Sequence, residues 1–295
     1  MHNNRIIRIG TRGSDLALWQ ANFVRESLEK LGNKVEINII HTQGDKIQDL
    51  SFDKLEGKGF FTKEIEQALL NKEVDLAVHS HKDLETSSPE GLIIAAVSDR
   101  EDPSELLLML PSSEDKALSW HLKNSALIGT SSARRKSQIL ANRPDLEIKD
   151  LRGNVPTRIQ KLRDGQYDAI LLAKAGVNRL NLDLSDLVCI TLDPTEFVPA
   201  PAQGVLGLQT RIEDFELRSI LENLNHSKTK EKIDIERGVL KNMEGGCQLP
   251  LGVFCDGDNV HVTFSKTASE KSSYFVFDSN QDDLVGKIVS HLKTL

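Results

Sequence analysis

Glu73-Val74-Asp75-Leu76-Ala77-Val78 is the stretch that decides the fold, because the chain repeats it in kind at Gln166-Tyr167-Asp168-Ala169-Ile170-Leu171. Each is an aspartate set in a short apolar run of strand length, the pattern of a strand buried on both faces. The likeness extends outward. Before the first run, residues 5–9 read as a strand, Gly10-Thr11-Arg12-Gly13-Ser14 as a turn, 15–31 as a helix, 35–41 as a strand and 62–72 as a helix. Ser14 suits the N-cap of the first helix and Asp15 its first turn. Before the second run, Leu127-Ile128 leads into Gly129-Thr130-Ser131-Ser132, a helix over 133–142, a strand over 148–151, and a helix opened by Gly153-Asn154-Val155-Pro156 that runs to Arg163. The first run ends at His79-Ser80-His81-Lys82-Asp83, ahead of a strand over 93–97; the second ends at Ala173-Lys174. This repeat predicts two α/β domains of related design with a cleft between them.

Residues 99–103 read as a hinge, and Phe197 to Gly204 as the return crossing. A strand over 205–210 is then expected to join the first domain's sheet. From about Asn223 the pattern changes to a helix over 229–243, three strands over 249–255, 260–265 and 274–277, and a closing helix over 282–292. That pattern is a small α+β unit with a three-stranded antiparallel sheet. The expected boundaries are 1–98 with 198–220, 103–193, and 223–295.

Length and composition allow two or three globular domains, with 39% apolar and 27% charged residues. The net charge of −7 argues against a general nucleic-acid binder. Between Lys123 and Arg179, however, twelve Lys and Arg stand against five Asp and Glu, leaving −14 for the remainder. A basic middle in an acidic protein points to a small anionic ligand. Three cysteines without framework spacing suit a reducing compartment. No apolar run, Leu106 to Leu110 included, approaches membrane-spanning length. The sequence therefore reads as cytoplasmic, with no membrane or nucleic-acid partner.

Two strand–turn–helix units present helix N-termini, which bind anions, at Thr11 to Ser14 and at Thr130 to Ser132. Arginines accompany them: Arg12 at the first, Arg134 and Arg135 at the second, with Arg152, Arg158 and Arg179 near other strand ends and helix starts. Any one of these could be a solvated helix charge, but clustering at strand C-termini favours a carboxylate or phosphate site. No P-loop or dinucleotide fingerprint accompanies them. His79-Ser80-His81-Lys82-Asp83 invites a metal reading, since on a strand His79, His81 and Asp83 would share one face. The remaining histidines form no ligand set, so no metal is expected. Asp83 reads instead as a carboxylate that stabilises a developing cation and moves a proton, or else as a turn cap. Trp19 reads as core, and Phe60-Phe61, after the glycine-punctuated loop 44–59, as core or as cover for a planar ligand. Cys247, on the bend Glu244-Gly245-Gly246-Cys247-Gln248, is either a small buried hydrophobe or an accessible reactive thiol with room for a bulky group.

Six motifs occur in order: Gly10-Thr11-Arg12 with Leu16-Ala17-Leu18-Trp19-Gln20-Ala21; Gly57-Lys58-Gly59-Phe60-Phe61-Thr62-Lys63-Glu64; Ala77-Val78-His79-Ser80 with Lys82-Asp83; Gly129-Thr130-Ser131-Ser132 with Arg134-Arg135; Leu151-Arg152-Gly153-Asn154-Val155 with Thr157-Arg158; and Glu244-Gly245-Gly246-Cys247-Gln248. Together they resemble the porphobilinogen deaminases (hydroxymethylbilane synthases), from about Ile6 to Val253. The resemblance implies two domains like periplasmic binding proteins and a small C-terminal domain. It implies a monomeric transferase that deaminates four porphobilinogen molecules and joins them head to tail, with release of ammonia, in tetrapyrrole and haem biosynthesis. One covalent dipyrromethane cofactor would be held as a thioether by Cys247, with Lys82, Thr130, Ser131, Ser132, Arg134, Arg135, Arg152, Gly153 and Asn154 around it. Arg12, Ser14, Phe61, Arg158 and Arg179 would bind substrate. Asp83 would stabilise the cationic azafulvene and pyrrole nitrogens and handle proton transfer, and the loop 44–59 would be a lid. A substrate with two carboxylates per unit suits an arginine-rich cleft. His81, Leu84-Glu85, Gly13, Asp15 and Pro201-Ala202-Gln203-Gly204 depart from the commonest family pattern, without removing a group the chemistry needs. A non-catalytic polyanion-binding protein on the same two-domain plan is the alternative.

Overall fold

The computed structural model describes residues 5–42, 62–246 and 248–295. The chain divides into two compact units, Met1–Glu101 with Val205–Glu231, and Asp102–Gly204 with Lys232–Leu295.

Unit 1 contains β1 (Ile6–Thr11), α1 (Asp15–Lys30), β2 (Lys34–Ile39), α2 (Lys63–Leu70), β3 (Leu76–Ser80) and β4 (Leu92–Val97). From after the other unit's sheet it takes β10 (Leu206–Arg211) and α6 (Phe215–Glu222), and α7 (Ser227–Asn242) begins in it. The sheet order is β2-β1-β3-β10-β4. β1 runs parallel to β2 and β3, while β10 is antiparallel to β3 and β4. The returning strand expected at 205–210 is therefore present and lies inside the sheet. Helix α1 faces the sheet with Ala21, Val24 and Leu28, an i, i+3, i+7 stripe that is fully buried.

Unit 2 repeats the plan with β5 (Glu105–Met109), β6 (Leu127–Gly129), α3 (Ala133–Asn142), β7 (Glu147–Lys149), α4 (Val155–Arg163), β8 (Ala169–Ala173), α5 (Lys174–Leu180) and β9 (Val188–Leu192). Its order is β7-β6-β8-β5-β9, again with two parallel pairs and a reversed inner strand. The reversed strand comes from the start of this segment, whereas in unit 1 it comes from the far end.

The paired aspartates explain why the repeat is visible in sequence. Asp75 stands just before β3. Its N–H donates to Arg8 O (2.8 Å) and its Oδ2 accepts from Arg8 N (3.1 Å). Asp168 stands just before β8. Its N–H donates to Leu127 O (2.9 Å) and its Oδ2 accepts from Leu127 N (2.9 Å). Each carboxylate satisfies a backbone donor on the neighbouring parallel strand and so pins the register.

The C-terminal sheet is β11 (Leu251–Cys255), β12 (Asn259–Phe264) and β13 (Ser273–Asp278), all antiparallel, as the alternation predicted. Helices α7 and α8 (Leu284–Lys293) cover it through Val239, Leu240, Leu284, Ile288 and Leu292. Within unit 2 it is tied to the 198–204 segment by Glu236, which is fully buried and accepts from Ala202 N (2.7 Å) and Cys255 N (2.9 Å). Trp19 differs from its core reading. It is half-buried and stacks on the exposed Phe23 at 5.4 Å, because its side of α1 lies opposite the buried stripe.

Asp75 also collects charge. It accepts from Arg8 Nε (2.9 Å), Arg211 Nη2 (2.9 Å) and Arg5 Nη2 (3.2 Å). Burial alone would raise its pKa, but the Arg8 and Arg211 hydrogen bonds outweigh it and hold the carboxyl well below the usual range. A carboxylate with a depressed folded-state pKa stabilises the fold above its unfolded pKa of about 3.9, and that contribution is lost as pH falls further. Asp75→Asn should therefore cost about 2 kcal/mol at pH 7, because buried Arg211 loses one of its two carboxylates and keeps only Asp214, at 3.3 Å. Urea denaturation should show that deficit narrowing between pH 5 and pH 2, and a constant deficit would contradict the assignment.

Candidate active site

In unit 1 the expected residues gather at the C-terminal ends of β1 and β3. Thr11 closes β1, and its buried hydroxyl donates to Ala17 O (3.2 Å). Arg12 is half-buried beside it. Ser14 is the N-cap of α1 and accepts from Ala17 N (3.4 Å). Strand β3 stops at Ser80, and His81–Asp83 forms a single 3-10 turn. The alternation that would have put His79, His81 and Asp83 on one face therefore ends before His81. The Nε2 of His79 is 3.0 Å from Gln209 Oε1, and Gln209 Nε2 donates to Glu66 Oε1 (3.0 Å). Burial pushes His79 down to about 4, partly opposed by that Gln209 contact, so the ring is neutral near pH 7. His81 is buried against β10, and a Cβ at Gly207 would lie 3.1 Å from its Cδ2. Asp83, by contrast, is exposed, Lys82 half-exposed, and among the described residues Asp83 has no ion pair. An exposed carboxylate on a short turn at a strand end can meet a cation that approaches from solvent.

In unit 2 the β6–α3 turn is held from within. Thr130 N donates to Lys149 O (3.0 Å), and Thr130 Oγ1 accepts from Ser132 N (3.3 Å). Ser131 Oγ donates to Leu151 O (3.0 Å) and accepts from Leu151 N (3.1 Å), which locks this turn to the next one. Ser132 caps α3 by accepting from Arg135 N (3.4 Å). At the following turn Gly153 has φ +113°, and a Cβ there would lie 2.7 Å from Thr157 Cγ2, so only glycine fits. Asn154 caps α4 by accepting from Thr157 N (2.9 Å), and Arg158 Nε donates to Gly153 O (2.7 Å). Lys161 Nζ donates to Arg152 O (3.1 Å). Arg179, on α5, donates from Nη2 to Gly204 O (2.7 Å).

Arg134 and Arg135 are 5% and 6% exposed, deeper than helix-start residues usually lie. Arg134 Nη1 donates to Val198 O (2.8 Å) and Arg135 Nη1 to Leu171 O (2.8 Å). Their Nη2 atoms reach the two oxygens of Glu105, each at 2.6 Å. Burial lowers the Arg134 pKa from its usual value, opposed by Glu105. Sequence reasoning passed over Glu105. Its signal was a single acid at the head of the apolar run Leu106 to Leu110, a run weighed only against membrane length.

Cys247, Phe61 and the loop 44–59 lie outside the described residues. The flanks of Cys247 refine the double-glycine reading. Glu244 ends the helical run at φ +54°. A Cβ on Gly245 would lie 2.5 Å from Leu249 Cδ2, whereas one on Gly246 would meet nothing within 4 Å. A side chain at Gly245 would therefore have to displace Leu249, and Gly246 stands in open space.

Proton NMR of the histidine ring signals should show His79 unprotonated down to about pH 4; titration near pH 6.5 would contradict its burial and its Gln209 contact.

Residues 7–219 match the family model described as porphobilinogen deaminase, dipyromethane cofactor binding domain. The porphobilinogen deaminase of Chloroherpeton thalassium is 45% identical over 253 residues, covering 85% of this chain and 79% of that protein. That of Oceanobacillus iheyensis is 45% identical over 263 residues, covering 88% and 84%. Sulfurimonas denitrificans has one 47% identical over 249 residues, covering 83% and 77%. Among solved structures, an ancestral arginine-binding protein bound to glutamine aligns with 78% of this chain and 94% of its own, at 14% identity and a TM-score of 0.42, a likeness too slight to carry an argument. On the sequence matches, the chain belongs to the porphobilinogen deaminase family.

Proposed function

We propose that this protein deaminates four molecules of porphobilinogen and joins them head to tail into the linear tetrapyrrole hydroxymethylbilane, releasing ammonia, as a monomer in the cytoplasm. The observation that carries the reading is the buried cation pair at the head of α3. Among the described residues two guanidinium groups share one carboxylate there, an excess of one positive charge, and Arg135 Nε is buried with no hydrogen-bond partner. Such a donor calls for an acceptor. The acetate and propionate groups of a dipyrromethane are acceptors of the right charge, so these residues fit the cofactor that the family carries.

Cys247 would hold the dipyrromethane as a thioether, with Lys82, Thr130, Ser131, Ser132, Arg134, Arg135, Arg152, Gly153 and Asn154 around it. When bound, it supplies the pyrrole terminus to which substrate is joined. The roles of the chain's own side chains follow from their chemistry. Arg12, Ser14, Arg158 and Arg179 bind substrate carboxylates, with guanidinium groups offering two parallel donors to each. Phe61 packs on the pyrrole ring. The Asp83 carboxylate stabilises positive charge as ammonia departs from the substrate's aminomethyl carbon, and takes up the proton released when the new carbon–carbon bond forms. His79, neutral and engaged with Gln209, holds β3 in place and supplies no charge.

Two variants separate anchoring from chemistry. Cys247→Ser should fold without a covalent dipyrrole by intact mass. Asp83→Ala should keep the dipyrrole yet lose turnover of porphobilinogen by at least about 100-fold, the usual scale for a missing acid–base group. Normal turnover in either variant would overturn the roles.

A further inference from the structure

The geometry points to Glu105 as a positioning residue for the reaction: its single buried carboxylate, shared between Arg134 and Arg135, aims both guanidinium groups at the carboxylates of the covalent dipyrrole. This rests on the reading above, in which those two arginines hold that group.

Glu105 is the first residue of β5 and has no solvent exposure. Its main chain lies between two strands, in register with Ala173 of β8 and Leu192 of β9, so its Cα is fixed from both sides. The side chain reaches the first turn of α3, where Oε1 takes Arg134 and Oε2 takes Arg135, each at 2.6 Å. The opposite corner of each guanidinium is held by a carbonyl, Val198 O for Arg134 and Leu171 O for Arg135. Each planar group is thus gripped at both Nη atoms and cannot swing about its long side chain.

The arrangement balances charge as well as orientation. Two buried cations side by side repel, and a carboxylate between them offsets part of that repulsion. A carboxylate on each arginine would neutralise the site and weaken its hold on an anion. One carboxylate for two arginines leaves one positive charge and, at Arg135 Nε, one donor with no partner among the described residues. The Leu171 contact extends the device into β8, and the Val198 contact into the segment that Gln138 also grips, through Val198 N (2.7 Å) and Val198 O (2.9 Å).

A purely structural role for Glu105 would lower stability without changing how a correctly folded molecule treats substrate. A positioning role acts on folded molecules. The experiment compares wild type, Glu105→Gln and Glu105→Asp, each prepared without the cofactor by expression in cells unable to make porphobilinogen. Circular dichroism and thermal melting establish the folded fraction. Porphobilinogen is then added, covalent dipyrrole is followed over time by intact mass, and KM and kcat are measured on the loaded fraction. Because a shift of about 1 Å in a positioning group can cost up to 100-fold, Glu105→Gln should take up the dipyrrole at least ~10-fold more slowly, with KM raised more than kcat is lowered. Glu105→Asp keeps the charge on a stem one methylene shorter, and should recover to within ~3-fold of wild type while remaining measurably slower. Wild-type uptake and KM in folded Glu105→Gln would overturn the proposal. If Glu105→Gln does not fold, Glu105→Asp decides: slower uptake with raised KM supports positioning, and wild-type values overturn it. Failure of wild type itself to acquire a dipyrrole would instead sink the underlying reading.

Discussion

A carboxylate with no access to water survives as an anion only when its oxygens are fully hydrogen-bonded and its charge is matched. Glu105 meets that condition with Arg134 and Arg135, and the consequences spread through unit 2. The carboxylate sets where α3 begins relative to the reversed strand β5. Arg134 passes the constraint to Val198, and the segment beyond Val198 is held in turn by Glu236, whose other oxygen binds the backbone of β11. Glu236 lies on α7, the helix that leads to the Cys247 bend. A handful of buried polar contacts therefore links the cation pair to the helix that precedes Cys247 in the chain. Breaking one partner of such a chain costs far more than making it contributes, because each member left behind is a stranded charge or donor.

The fold was legible where local chemistry and sheet plan agree. Asp75 and Asp168 could be matched by eye because each performs the same task, pinning a parallel neighbour through its backbone. The Ser14 cap was readable for the same reason, since the hydrogen bond it makes is three residues away in sequence. Glu105 was not legible. Its partners lie 29 and 30 residues downstream, and nothing near it marks a buried acid. The His79-to-Asp83 stretch invites a one-face metal reading only if the strand continues, and the strand ends one residue before His81. Trp19 misled because an aromatic on an amphipathic helix can lie opposite the buried stripe and stack on an exposed neighbour.

The contrast between His79 and Asp83 carries the chemical logic of unit 1. Four residues apart, one is sealed in the sheet and neutral near pH 7, and the other is exposed at the end of a 3-10 turn. The proposed chemistry calls for a carboxylate that meets a transient cation, and for that carboxylate to sit on a rigid mount. The sheet supplies the mount through β3 and its pairing with β10, and His79 with Gln209 forms part of that pairing face.

Intact mass of the native protein, purified without denaturation, tests the account most directly. The account predicts a mass above the 32.8 kDa of the sequence by one dipyrromethane, lost on substitution of Cys247. A native mass equal to the bare sequence, with no activity on porphobilinogen after reconstitution, would contradict it.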